Sequence, residues 1–106
     1  MWISNQLRLE DIAPDFEPGR IYYHRRLRSW QYNGEERWWE VYIELLGVAK
    51  DRNELIVREH RRWNGSDYTA LESEFTLTLP EARQLLAELR TANGMDEEQC
   101  VTSSIE

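Results

Sequence analysis

Three turn signals, spaced along the middle of the chain, limit the fold most strongly. Asn33-Gly34, Lys50-Asp51-Arg52 and Asn64-Gly65 each favour a tight reversal. Between them lie segments rich in Trp, Tyr, Val and Ile, the residue types that suit a pleated, half-buried surface. This punctuation predicts four strands near 20–31, 36–48, 54–63 and 69–78. Short connections make sequential strands antiparallel, so the expected sheet is a meander.

A helix should follow directly. Thr78-Leu79-Pro80-Glu81 is a capping box with proline in the first turn. Ala82, Leu85, Leu86 and Leu89 then recur at helical spacing, and Asn93-Gly94 supplies a left-handed stop. The expected architecture is therefore α+β: a four-stranded antiparallel meander followed by one C-terminal helix packed on one face (ββββα). With 106 residues there is room for a single domain. We place it at 20–94, after an N-terminal arm (1–19) interrupted by Pro14, Pro18 and Gly19, and before an acidic tail (95–106) expected to be flexible. Trp2, Leu7, Leu9, Ile12 and Phe16 of the arm are candidates to pack on the domain.

Hydrophobic pattern and charge together propose a register. Trp39, Val41, Ile43 and Leu45 look like a core face, and a two-residue loop at Asn33-Gly34 would set them against Arg28, Arg26 and His24. A three-residue loop with a glycine bulge instead pairs them with Leu27, Arg25, Tyr23 and Ile21, and this is the register expected. It also pairs Leu45 with Val57, Trp39 with Trp63, Val57 with Phe75 and Leu55 with Leu77. The other face then carries three rows: Arg26, Glu40, Arg62; Tyr22, Glu44, Arg58, Glu74; and His24, Tyr42, His60, Glu72. The apolar part of the core face lies away from the Asn-Gly turns, so the helix should cover that end first.

The motifs of catalysis are missing. No Gly-x-Ser-x-Gly elbow, phosphate-binding glycine loop, His-Glu-x-x-His or paired-cysteine motif occurs. His24 and His60, separated by Tyr42, are expected to be solvated members of a charge ladder. Arginine neighbours should hold Glu40 and Glu44 ionised rather than tune them apart. No catalytic residue, metal site or cofactor is expected, and the chain reads as a non-enzymatic binding module. One cysteine excludes an internal disulfide, and neither a signal-like start nor a membrane-length apolar run is present. The expected setting is soluble and cytoplasmic, with no membrane partner.

The binding candidates are aromatic and basic. Trp30, Tyr32, Trp38, Trp39, Trp63 and Tyr68 all flank the Asn-Gly turns, which share one end of a meander. Trp30 and Trp38 are expected on the charged face, with Arg28 opposite Trp38 as a cation–π partner. Arg25 and Arg61 should flank Val41 on the core face, as anion-binding candidates or as partners of Glu59, Asp67 or acids of the arm.

Four antiparallel strands running through Phe75-Thr76-Leu77-Thr78-Leu79-Pro80-Glu81-Ala82 into a leucine helix resemble the positive-cofactor-four, Whirly and Pur-alpha group of single-stranded nucleic-acid binders. The resemblance covers about residues 20–92 in layout. It implies dimerisation through the helix and binding of a DNA or RNA single strand across the sheet. Arg25, Arg26, Arg28, Trp30, Trp38, Arg58, Arg61 and Arg62 would make the contacts. Where that group usually carries glycine and lysine before the helix, this chain has Glu72-Ser73-Glu74, and its net charge is -7. These acids support an alternative: a protein-binding adaptor or inhibitor, for instance of a nucleic-acid enzyme, whose acidic surface meets a basic partner. A homodimer is expected on either reading, because one helix shields four strands poorly.

Overall fold

The computed structural model of the chain describes residues 8–49, 51–66 and 68–95. A short helix, α1 (Leu9–Ile12), precedes four strands, β1 (Ile21–Tyr32), β2 (Glu35–Ala49), β3 (Glu54–Trp63) and β4 (Leu71–Leu77). The chain then enters α2 (Leu79–Ala92). The strands pair in sequence order as one antiparallel sheet, which gives the expected ββββα layout. Trp2, Leu7 and nearly all of the acidic tail lie outside the described residues.

The helix forms where its signals predict. Glu81 Oε1 accepts the Thr78 amide at 2.9 Å, and Thr78 Oγ1 accepts from the Glu81 amide at 3.5 Å. At the other end Gly94 takes φ +67°, and the Met95 amide reaches back to the Arg90 carbonyl at 2.8 Å. Ala82, Leu85, Leu86 and Leu89 are buried against Val41, Ile43, Leu45, Leu55 and Val57. Each fully buried Leu, Ile or Val among them is worth roughly 1.5–3 kcal/mol of transfer free energy.

The arm closes the same core. Ala13 and Phe16 are buried, and Leu9 and Ile12 pack against them. Phe16 meets Tyr22 edge-on at 4.9 Å, the Tyr22 hydroxyl accepts the Glu17 amide at 2.8 Å, and Arg90 of α2 donates to Asp15 at 2.7 Å.

The register matches expectation on β3 and corrects it on β1. Leu45 opposes Val57, Trp39 opposes Trp63, Val57 opposes Phe75 and Leu55 opposes Leu77, as predicted. Asn33 and Gly34, however, form a two-residue turn with φ of +53° and +80°, closing the pair Tyr32–Glu35. Two positive φ values are what the primed hairpin turn requires, and Asn-Gly supplies them cheaply. The conflict with the core face is resolved by two bulges in β1. One lies between Arg26 and Ser29 and the other between Tyr23 and Arg25, each inserting one extra residue.

The predicted pairing therefore holds only at Arg25–Val41 and Arg26–Glu40. Beyond the second bulge Tyr22, not Tyr23, meets Ile43 and enters the core, and Ile21 meets Glu44. Tyr22 and His24 thus leave the charged rows predicted for them. A third bulge, at Leu46 in β2, sets Gly47 opposite Ile56, so the second turn spans four residues and ends at Asn53 with φ +52°. Asn93 Nδ2 donates to the Tyr23 carbonyl at 2.8 Å, tying the end of α2 to the inner bulge.

Replacing Leu86 with Ala should cost about 2–5 kcal/mol, read as a lower urea midpoint at unchanged slope. Gly34→Ala should cost about 1–2 kcal/mol through backbone strain alone, because a Cβ at that position meets nothing within 4 Å.

Candidate functional site

β4 has only seven residues, so α2 starts at the far end of the sheet from the Asn-Gly turns and crosses β3 and β4 toward β1. The helix-side face near those turns is left without a helix over it. Its composition follows from register, since directly paired residues share a face. Trp30 opposes Arg37, Trp39 opposes Trp63, Arg25 and Arg61 flank Val41, and Leu71 opposes Arg61.

Three tryptophans cluster there. Trp39 lies 5.7 Å from Trp63 and 5.9 Å from Trp30, and Trp30 lies 6.3 Å from Trp63, with two of the three contacts edge-to-face. Such pairs add about 0.5–1.5 kcal/mol beyond burial. Trp30 was expected on the charged face; the bulge at Leu27 and Arg28 turns it onto the helix side. In and around the cluster, Trp63 is 45% exposed, Leu71 53% and Tyr32 56%; Phe75, further along β4 opposite Val57, is 39% exposed. The charges of this half-face pair locally: Arg61 Nε donates to Glu59 at 3.0 Å and Arg37 to Glu35 at 3.0 Å. Arg25 makes no hydrogen bond or ion pair with any described residue, although its charge reaches Glu88.

Between this half-face and α2 runs an apolar groove of about 480 Å³. Ile43, Phe75, Leu77 and Leu85 floor it, Pro80 walls one end, and Glu59, Glu81 and Glu88 stand at its rim with Arg25 and His24. Glu88 is held by His24 Nε2 at 2.7 Å and by Gln84 Nε2 at 2.8 Å. The Gln84 hydrogen bond, then the one with His24, holds the Glu88 carboxyl below the usual carboxylate range. The Arg90 hydrogen bond does the same for Asp15.

The opposite face is the charge ladder. Arg26 stacks over Trp38 at 4.2 Å and Arg62 over Tyr42 at 4.7 Å. The expected partner of Trp38, Arg28, is displaced into the bulge, and Ser29 opposes Trp38 instead. Arg58 bridges Glu44 and Glu74 at 3.6 and 3.3 Å. Glu40 accepts from Trp38 Nε1 and from the Tyr42 hydroxyl, both at 3.1 Å. Burial, then the hydrogen bond to Glu40, raises the Tyr42 pKa.

His60 is a surprise of this face. Expected to be solvated, it is 4% exposed, with Nε2 2.9 Å from Glu44, Nδ1 3.0 Å from Thr69 and Glu72 3.7 Å away. The Thr69 contact comes from the loop before β4, so no strand periodicity announced it. His24 was placed beside His60 by the predicted register; instead it sits on the helix side, bonded to Glu88. Among the described residues no group of three or more His, Cys, Asp or Glu is arranged to hold a metal ion, and no helix is long and apolar enough to cross a membrane.

The eight predicted contact residues are thus divided. Arg25, Trp30 and Arg61 share the helix-side half-face, Arg26, Trp38, Arg58 and Arg62 lie on the ladder face, and Arg28 occupies the bulge between them. The groove, with Phe75, Leu85, Glu81 and Glu88, escaped the sequence reading. Its only advance signal was the expectation that the helix covers one end of the sheet. No protein-family model matches the chain, and no curated protein or solved structure does.

Asp15 and Glu88 have folded-state pKa values depressed from the ordinary 3.8 and 4.5. Their stabilisation is present above those values and is lost as pH falls through the lower folded ones. An Asp15→Asn, Glu88→Gln variant should be less stable than the parent at neutral pH. It should also lose less stability on acidification, as measured by urea unfolding from pH 7 downward.

Proposed function

We propose that the chain is a small non-enzymatic protein-binding module whose working surface is the helix-side half-face left uncovered by α2. One observation carries this reading. Of the five large hydrophobic residues exposed among those described, Tyr32, Trp63 and Leu71 belong to this half-face, Phe75 lies on the same side of the sheet in the groove along α2, and Tyr68 lies in a loop. Exposed apolar side chains gathered in one patch mark interaction surfaces. Tryptophan, tyrosine and arginine are the residues on which protein interfaces concentrate their energy.

A single strand of nucleic acid, the ligand implied by the resemblance, has less support. A phosphate chain needs cations free to meet it along one track. Here the basic residues are split between two faces, and Arg58 and Arg61 are already bonded to carboxylates. Arg26 and Arg62 are laid over aromatic rings of the ladder face. Proteins accept such neutralised, aromatic surfaces more readily than phosphates do.

A photo-cross-linking residue at position 63 tests the reading against one at position 74, on the ladder face. Trp63→benzoylphenylalanine should yield discrete protein adducts in cells that Trp30→Ala abolishes, while Glu74→benzoylphenylalanine yields none. An adduct of twice the chain mass would identify a second copy as the ligand. Quenching of tryptophan emission by an oligonucleotide at low salt, reversed steeply by added salt, would overturn the reading.

A further inference from the structure

We infer that the groove beside α2 seats an apolar side chain from a basic segment of a partner protein. This rests on the protein-binding reading and names the chemistry of the partner. The groove has the size and apolar lining of a site for a large side chain, and Phe75 in its lining offers an exposed aromatic surface. Its rim sets three carboxylates, Glu59, Glu81 and Glu88, against one arginine, Arg25, and His24.

None of the three carboxylates is loose. Glu81 is fixed by the Thr78 amide at 2.9 Å, Glu88 by His24 and Gln84, and Glu59 by Arg61. A backbone amide anchors Glu81, and Gln84 shares the anchoring of Glu88 with His24, so neither is bonded to a lysine or arginine among the described residues. A pre-ordered carboxylate spends less ordering entropy when a lysine or arginine arrives. The net charge of -7 adds a long-range attraction for a basic partner. A phosphate backbone or an acidic peptide laid along the same rim meets like charge at Glu81 and Glu88. An apolar residue flanked by Lys or Arg satisfies both groove and rim: its side chain covers the exposed surface of Phe75 and Leu77 above Ile43 and Leu85 while its cations reach Glu81 and Glu88.

The probe is a synthetic amphipathic Lys/Leu peptide, compared with a Glu/Leu peptide of the same pattern, titrated into the full chain with amide chemical shifts as the readout. The Lys/Leu peptide should shift Ile43, Phe75, Leu77 and Leu85 saturably and bind more weakly as salt rises. Glu81→Gln with Glu88→Gln should weaken it roughly tenfold, because glutamine keeps the cap and the Gln84 contact while removing charge. Glu72→Gln with Glu74→Gln, an equal charge change on the ladder face, should leave the affinity nearly unchanged. The spectra of the free variants report that each is folded.

Equal weakening by both pairs would reduce the effect to bulk charge and overturn the inference. Equal binding of the Glu/Leu peptide would overturn it too, while leaving the protein-binding reading intact. Cross-linking at position 63 with no peptide response in the groove would do the same. A response to an oligonucleotide alone would overturn both.

Discussion

Everything distinctive about this molecule follows from one helix of fourteen residues packing on a sheet wider and longer than itself. Ala82, Leu85, Leu86 and Leu89 sit on Leu45, Leu55 and Val57 because the chain leaves β4 at Leu77, and the capping box at Thr78 fixes where the helix starts. A helix rises about 1.5 Å per residue, so α2 reaches the β1 edge near Tyr23 and cannot also cover the Asn-Gly end. The arm, through Ala13 and Phe16, extends the core on the covered side. What is left open is a half-sheet of tryptophans with a groove along the flank of the helix.

The bulges of β1 decide what that open half-sheet contains. The Asn33-Gly34 turn and the hydrophobic face of β2 make incompatible demands on pairing. Two extra residues in β1, at His24 and at Leu27–Arg28, satisfy both. Each insertion exchanges the faces of everything beyond it. That exchange brings Trp30 to Trp39 and Trp63, sends Tyr22 into the core and carries His24 to Glu88. Bulges on an edge strand also disturb its free hydrogen-bonding row, which discourages unwanted strand addition there.

The two faces consequently differ in chemistry. On the ladder face, alternating basic and acidic strands bond to each other and bury His60 among Glu44, Thr69 and Glu72. Bonded in this way at Glu44, Arg58, His60 and Glu74, that face holds register more than it recruits a ligand. On the helix side Arg37 and Arg61 pair along their own strands, leaving the tryptophan cluster, Leu71 and Phe75 as the groups with most to gain from a partner.

The sequence by itself determined the four strands, the β3–β4 register, the β2–β3 register from Trp39 to Leu45 and the capped helix, because each rests on local chemistry. Turn residues, two-residue alternation, a leucine stripe and the Thr78–Glu81 box act over a few positions and need no distant partner. The order of the charged rows Arg26–Glu40–Arg62 and Glu44–Arg58–Glu74 was legible for the same reason. Only the tertiary structure decided the placement of bulges, the burial of His60, the position of Trp30 and the groove between Leu85 and Phe75. A bulge is chosen by whether the side chains beyond it find the core, and a groove by where two distant elements fail to meet. Both are settled by the packing of α2 and the arm against the whole sheet, which no local pattern records.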